Sequence, residues 1–393
     1  MFKFFDQFLY VEHVVIARSC LLSVDCHLRT TTHLNLARQT RQLINVIHQS
    51  PYRIQMEKYS RWRDPSSGIH PMVPIIPLAS NKSPIQTLSS IVKSYVLGPP
   101  LALVKLAAIT LLVVVFGLFE LLESLFVLVP IIHRTYARVI HFLLIRTILF
   151  LLGFFWVHTE SVSIKKGARR RFKPKQLSIQ SGDVIAANHT SYVDVLYLAS
   201  RYAPLFVTPT QTPGQVTVET VWSAFSKSIR SPPLEQTGEP LSEVSRKARI
   251  AGRGPIVVFA EGTTSNGRGI LRMTKVFEHL DPSKTKIHVI GLKYDYDDFA
   301  PTFTVGNFLT HVFVMACQWV NTLEVRYLIG EEADVQAKLP PNYTLSPDEG
   351  IIGTQVANLL NHATRLRQIS SLGVKEKQEF IAYYLERERK ARR

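Results

Sequence analysis

Two residues could do acid–base chemistry at a fixed spacing. They are His189 and Asp194, in the run Asn188-His189-Thr190-Ser191-Tyr192-Val193-Asp194 directly after the apolar stretch 183–187. On a helix that turns ~100° per residue, positions five apart point about 140° away from each other. The pair therefore meets only if His189 lies in a strand-to-helix turn and Asp194 on the first turn of the helix. The carboxylate would then fix the imidazole tautomer and leave the other ring nitrogen as a base for an attacking hydroxyl. Such assistance is typically worth about 10²–10⁴ in rate. In a chain with 13 histidines the spacing alone is unspecific. A capping or buried turn histidine is the alternative reading.

A second block, Phe259-Ala260-Glu261-Gly262-Thr263-Thr264-Ser265-Asn266-Gly267, again ends an apolar run. A carboxylate followed by glycine and hydroxyl residues suits a polyol or phosphate headgroup, held by side chains and free backbone N–H groups. The block lacks the Lys-Ser/Thr pair of a phosphate-binding nucleotide loop. No Gly-x-Ser-x-Gly elbow and no His-Glu-x-x-His zinc site occur in the chain. Cys20 and Cys26, with His27 and His33 nearby, do not have zinc-ligand spacing, so no metal site is expected. Three cysteines in all imply no disulfide framework and a reducing compartment.

These blocks need elements to position them. Short β-branched runs at 183–187, 204–208, 255–259, 286–293 and 322–329 alternate with helical patterns at 192–202, 215–229, 241–251, 273–280 and 307–320. That alternation predicts an α/β fold, a mixed sheet flanked by helices. A helical tail follows from about 347, and its charged end, 375–393, reads as a solvated or membrane-surface helix.

Upstream, 101–119 and 139–157 are apolar stretches of about the length that spans a ~30 Å hydrocarbon core. Lys105 stands near the start of the first, where it could snorkel. Arg146 inside the second costs about 2.5–3.5 kcal/mol on an insertion scale. Only the nineteen residues 120–138 separate the stretches, too few for a domain, so an N-terminal membrane-embedded helical hairpin, spanning or re-entrant, is expected before the α/β domain.

The chain of 393 residues carries a net charge of +16 with a mean hydropathy of +0.08. The charge is uneven: +8 over 1–157, +6 over 158–175 and +2 over 176–393. A nucleic-acid domain would spread such charge over a folded face, so no nucleic-acid partner is expected. The cluster Lys165, Lys166, Arg169, Arg170, Arg171, Lys173 and Lys175 reads instead as an orientation signal and a grip on anionic membrane lipids. The expected organisation is an N-terminal extension over 1–95, a membrane hairpin over 96–157 and a basic neck over 158–175. A catalytic α/β domain over 176–335 and a helical tail over 336–393 follow. Within the extension, 1–55 carry no motif, Met56 is a candidate start, and the Pro/Ser-rich 64–84 read as a flexible approach.

The two blocks together, in this order and preceded by apolar stretches, resemble the glycerolipid (1-acylglycerol-3-phosphate type) acyltransferase family, with its Asn-His-x4-Asp and Phe-Pro-Glu-Gly-Thr-Arg-Ser blocks. The wording Glu-Gly-Thr-Thr-Ser-Asn-Gly and the stretch 294–307 are most similar to its fungal lysophosphatidic acid:oleoyl-CoA members. The resemblance implies His189 as catalytic base, oriented by Asp194, with Asn188, Glu261, Gly262, Thr263, Thr264 and Ser265 at substrate-binding positions. It implies acyl-CoA as co-substrate with no further cofactor, a lysophospholipid as acceptor and no covalent acyl-enzyme. The location it implies is the endoplasmic reticulum membrane with the catalytic domain in the cytosol, lipid droplets being a second location.

The chain departs from the family pattern in four places. Ala260 replaces a proline, Thr264 replaces an arginine, and Gly291 stands where a proline is usual. Ser226–Gln236 stands where a Gly-x-x-Phe-x-x-Arg block belongs, so the headgroup phosphate lacks its usual arginines. Arg230, Arg268 and Arg272 are the candidates to replace them. Another acceptor, such as lysophosphatidylinositol or glycerol-3-phosphate, and a non-catalytic membrane-hairpin protein of lipid droplets are the competing readings.

Overall fold

Parallel strands need both faces covered, and the run Val184–Ala187 is wholly buried as such a strand must be. A computed structural model of the protein describes residues 58–75, 92–123, 130–163, 178–231, 237–329, 333–341 and 343–392. The elements below belong to one compact unit. They begin with α1 (Gly98–Glu123), α2 (Pro130–Ile140) and, beyond a π turn, α3 (Arg146–Leu151). Then come β1 (Val157–Val162), β2 (Val184–Ala187), α4 (Tyr192–Tyr202), β3 (Leu205–Pro209), β4 (Gln215–Glu219) and α5 (Val221–Ile229). The chain continues through β5 (Glu239–Pro240), α6 (Leu241–Ile250), β6 (Ile256–Phe259), β7 (Gly269–Leu271), β8 (Ile287–Asp295) and α7 (Phe308–Cys317). It closes with β9 (Thr322–Leu328), α8 (Gly350–Thr364), β10 (Arg367–Ile369) and α9 (Val374–Arg392).

The main sheet has eight strands in the order β1-β9-β8-β2-β6-β3-β4-β5. Its centre, β8-β2-β6-β3, is parallel, whereas β9 and β4 run antiparallel to their inner neighbours. One face packs Ile185, Ala187, Val257 and Ile290 against α3, α4 and α5. The other packs Val184, Val258 and Val289 against α6 and α8. The expected α/β class and mixed sheet are therefore present. Two segments differ from expectation. Residues 215–219 pair with β3 as a strand, leaving only 221–229 as helix, and 273–280 form turns.

The second apolar stretch is not one membrane-length helix. Helix α3 ends at Leu151, Gly153 turns the chain at φ +93°, and β1 starts at Val157. Ile145, Ile148, Leu149, Leu152 and Phe154 are buried in the core of the α/β domain. Arg146 sits inside this turn and donates to the carbonyls of Phe154 (2.8 Å) and Phe155 (2.6 Å). Lys105 does not snorkel either. It is buried, and its Nζ donates to the carbonyls of Ala316 (3.1 Å) and Gln318 (2.9 Å), capping the C-terminus of α7. Among the described residues one helix, Val92–Leu122, is long and apolar enough to cross a membrane.

The approach segment and the tail also differ from expectation. Residues 59–73 pack Tyr59, Trp62, Met72 and Val73 against Leu271, Leu372 and Phe380, so this part is ordered and the start of the tail is buried. Asn266, from the second sequence block, ties the segment down. Its Nδ2 donates to the carbonyls of His70 (2.6 Å) and Val73 (2.8 Å), and its N–H to that of Pro71 (2.7 Å). The readings for 1–55, for Met56, for 76–84 and for the cluster Lys165–Lys175 fall outside the described residues. Replacing Asn266 with Ala should cost about 1–3 kcal/mol, since two buried carbonyls lose their donor. Thermal unfolding would measure the loss, and limited proteolysis should show faster cleavage within 59–75.

Candidate active site

The C-terminal ends of neighbouring parallel strands bring the two blocks together, the usual place for a site in such a sheet. His189 follows β2 and Glu261 follows β6, with β8 on the other side of β2. Ser191 caps α4: its side chain accepts from Val193 N–H, and Asp194 closes a capping box. That local geometry puts His189 in the turn and Asp194 on the first helical turn, as the spacing demands.

Asp194 is fully buried, and its Oδ2 accepts from Thr190 N–H (2.6 Å) and Ser191 N–H (2.8 Å). His189 Nδ1 lies 3.2 Å from the same oxygen. Oδ1 accepts from the Tyr294 hydroxyl at 2.5 Å. With Nδ1 carrying the proton towards Asp194, Nε2 is left as the base. Nε2 faces Ser228 Oγ on α5 at 3.0 Å. The imidazole stacks on the Phe259 ring, centroids 4.0 Å apart and planes 17° from parallel.

The second block grips the His189 backbone rather than an open cleft. Glu261 Oε1 accepts from His189 N–H (2.9 Å), and Ser265 N–H donates to His189 O (2.9 Å). Glu261 Oε2 accepts from Leu271 N–H at 2.8 Å, so both carboxylate oxygens of this wholly buried side chain are engaged. Asn188 is likewise turned inward, exchanging two hydrogen bonds with the backbone of Leu292 in β8 (2.9 and 2.7 Å). Gly262 adopts φ +67°, and a Cβ there would lie 2.8 Å from Val374. Thr263 and Thr264 are buried, and the Thr264 carbonyl accepts from Lys377 Nζ at 3.0 Å.

Burial pushes the Glu261 carboxyl up to about 8, and the Lys377 ammonium down to about 7. Each partly offsets the other's displacement across the loop. Of the candidate arginines, Arg272 is committed to Glu376 (3.3 Å) and Asp348 (3.7 Å), and Arg230 is exposed just after α5. A cavity of about 330 Å³ opens beside the turn, lined among others by Thr190, Gly267, Lys293, Tyr294 and Thr302.

Tyr294, Ser228 and Lys377 were not legible as site residues. Tyr294 lies just beyond the predicted strand run 286–293, with no role assigned to it, and Ser228 reads as a helix hydroxyl. Only the apolar spacing Val374, Phe380, Ile381 and Tyr384 around Lys377 hints that this face of the tail is buried.

Residues 169–282, which hold both blocks, match the family model Acyltransferase. Over that stretch the chain is similar to the acyltransferase family. It is 27 % identical over 260 residues to lysophospholipid acyltransferase LPEAT1 of Arabidopsis thaliana, covering 60 % of this chain and 61 % of that protein. A Schizosaccharomyces pombe protein provisionally named as a lysophosphatidic acid:oleoyl-CoA acyltransferase is 28 % identical over 241 residues, 61 % of this chain and 73 % of its own length. Lysophospholipid acyltransferase LPEAT2 of Arabidopsis thaliana is 26 % identical over 185 residues, 47 % of this chain and 31 % of its length. The chain thus spans less than two thirds of the length of either Arabidopsis relative. No solved structure matches it.

The buried charges of this domain set its pH response. A carboxyl raised in the folded state contributes stability that is full below about 4.5 and lost as pH rises towards 8. A lysine lowered in the folded state contributes stability that is lost as pH falls from about 10.5 to 7. Glu261→Gln removes the first contribution and lets burial lower the Lys377 ammonium further, which acts in the same direction over this range. The difference in melting temperature between wild type and variant should therefore shift against the wild type between pH 4.5 and 8, measured by thermal scans across that range.

Proposed function

We propose that this protein is an acyl-CoA-dependent O-acyltransferase that esterifies the free hydroxyl of a lysophospholipid, converting lysophosphatidic acid to phosphatidic acid. The observation that carries the reading is the His189 ring, held by Asp194 at Nδ1 and offering Nε2 to a hydroxyl oxygen about 3 Å away. Nε2 takes the proton as the lysolipid oxygen attacks the thioester carbon. A carbon–oxygen bond forms, the carbon–sulfur bond breaks, and the imidazolium returns the proton to the CoA sulfur. The base supplies this chemistry with no cofactor beyond the co-substrate. The names of the Arabidopsis and yeast relatives support a lysophospholipid as acceptor.

Thr264 at the arginine position and the ion-paired Arg272 favour one refinement. The headgroup charge is met by Lys293, which lines the adjacent cavity. They also keep a second acceptor, lysophosphatidylinositol or glycerol-3-phosphate, as the alternative.

Membrane attachment is through α1, lying in the interface rather than crossing it. Ala102 and Phe116 are buried against the domain, with Phe116 edge-to-face on Trp222 at 5.2 Å. The opposite face presents Val104, Leu111, Val114, Leu118 and Leu121, all more than half exposed. A helix apolar on both sides, one of them packed on its own domain, is suited to half-embedding in a bilayer leaflet. The basic cluster before β2 supports a cytosolic orientation on the endoplasmic reticulum or lipid droplets.

His189→Ala should abolish transfer from labelled oleoyl-CoA to lysophosphatidic acid in purified membranes. Activity retained by that variant overturns the mechanism, and a panel of lysolipids and glycerol-3-phosphate with product analysis assigns the acceptor. The double variant Leu111→Glu/Val114→Glu should reduce binding to phosphatidylcholine/phosphatidic acid vesicles by about tenfold or more. Its melting temperature in detergent should stay unchanged, and wild-type flotation would refute the docking face.

A further inference from the structure

Ser228 has one hydroxyl hydrogen and two acceptors within reach. Its Oγ lies 3.0 Å from His189 Nε2 and 2.8 Å from the carbonyl of Ala224, one turn earlier in α5. Both Ser228 and His189 are 5 % exposed. In the basic tautomer the imidazole has one lone pair, at Nε2, and a group to be deprotonated must sit within about 2.6–3.2 Å of it. That place is occupied by Ser228.

We propose that Ser228 guards the base against water, so that acyl-CoA is not hydrolysed while no acceptor is bound. The proposal rests on the acyl-transfer reading above. With the site empty, the Ser228 O–H donates to Nε2 and holds the Nδ1–H tautomer towards Asp194. When an acceptor hydroxyl arrives, Ser228 gives up its bond to Nε2, a loss that turning its hydrogen to Ala224 O offsets only in part. A lysolipid brings headgroup and chain contacts that offset the displacement, whereas a water brings none. Ser228 thus acts through His189 as a positioning residue and favours alcohol over water as nucleophile.

The suppressed reaction is ordinary thioester hydrolysis. The water oxygen bonds to the acyl carbon and the carbon–sulfur bond breaks. The water proton passes through Nε2 to the CoA sulfur, giving a fatty acid and free CoA. Removing the hydroxyl leaves Nε2 as a buried acceptor without a partner, which a water would satisfy.

The test is the partition between the two reactions, a ratio that loss of folded protein does not move. CoA release from oleoyl-CoA is followed with and without lysophosphatidic acid for the full-length wild type, Ser228→Ala and Ser228→Thr. The ratio of hydrolysis to transfer should rise about five- to tenfold in Ser228→Ala, the factor one net hydrogen bond is worth. Ser228→Thr, which keeps a hydroxyl, should hold the wild-type ratio. A parallel fall of both reactions at constant ratio would overturn the proposal and leave Ser228 a packing residue. An oleoyl adduct on Ser228, seen by intact mass after mixing wild type with oleoyl-CoA, would also overturn it by making the serine a nucleophile. Failure of the underlying reading looks different: the wild type itself then transfers no oleoyl group to any lysolipid.

Discussion

Oδ2 of Asp194 takes two backbone N–H bonds from the turn that carries His189, and the imidazole Nδ1 lies against the same oxygen. A fully buried carboxylate is costly unless its lone pairs are occupied by donors, so the fold must deliver those donors or lose stability. The strand-to-helix turn delivers the two N–H groups, β8 delivers the Tyr294 hydroxyl, and the ring completes the set. The orientation of His189 is thus fixed by the same bonds that start α4. Stability and site geometry are one requirement at this point, which is why a five-residue spacing that no regular helix could use becomes productive.

The second block extends that constraint to the backbone. Glu261 and Ser265 take both polar groups of the His189 main chain, and Lys377 supports the loop through the Thr264 carbonyl. A glutamate and a glycine that read as headgroup ligands instead hold the turn and leave room for Val374. The acidic side chain stays buried because two N–H groups and a nearby ammonium compensate it, each at some cost in its own ionisation.

Strand and helix positions around the site were largely legible. The run 192–202 is a helix to the residue, and the five β-branched runs all lie in the main sheet, because period and burial are local signals. The membrane segments were read less well for a physical reason. Lys105 reads as free to snorkel and Arg146 as a penalty inside an apolar stretch, yet each satisfies carbonyls of its own domain. Hydropathy records that a segment is apolar but not whether lipid or protein covers it. The same blindness made 215–219 part of a helix, although β3 was waiting to pair with it.

What the sequence determined by itself was the pair of blocks, their order, and the turn-plus-first-turn geometry that His189 and Asp194 require. Those follow from covalent spacing and local propensity, which act within a few residues. Only the tertiary structure decided that Ser228 sits on Nε2, that Tyr294 reaches Asp194, and that Lys377 lies beneath the second block. These partners are separated by 39, 100 and 113 residues along the chain. Contacts over such distances depend on how strands and helices stack, and no local pattern encodes that stacking.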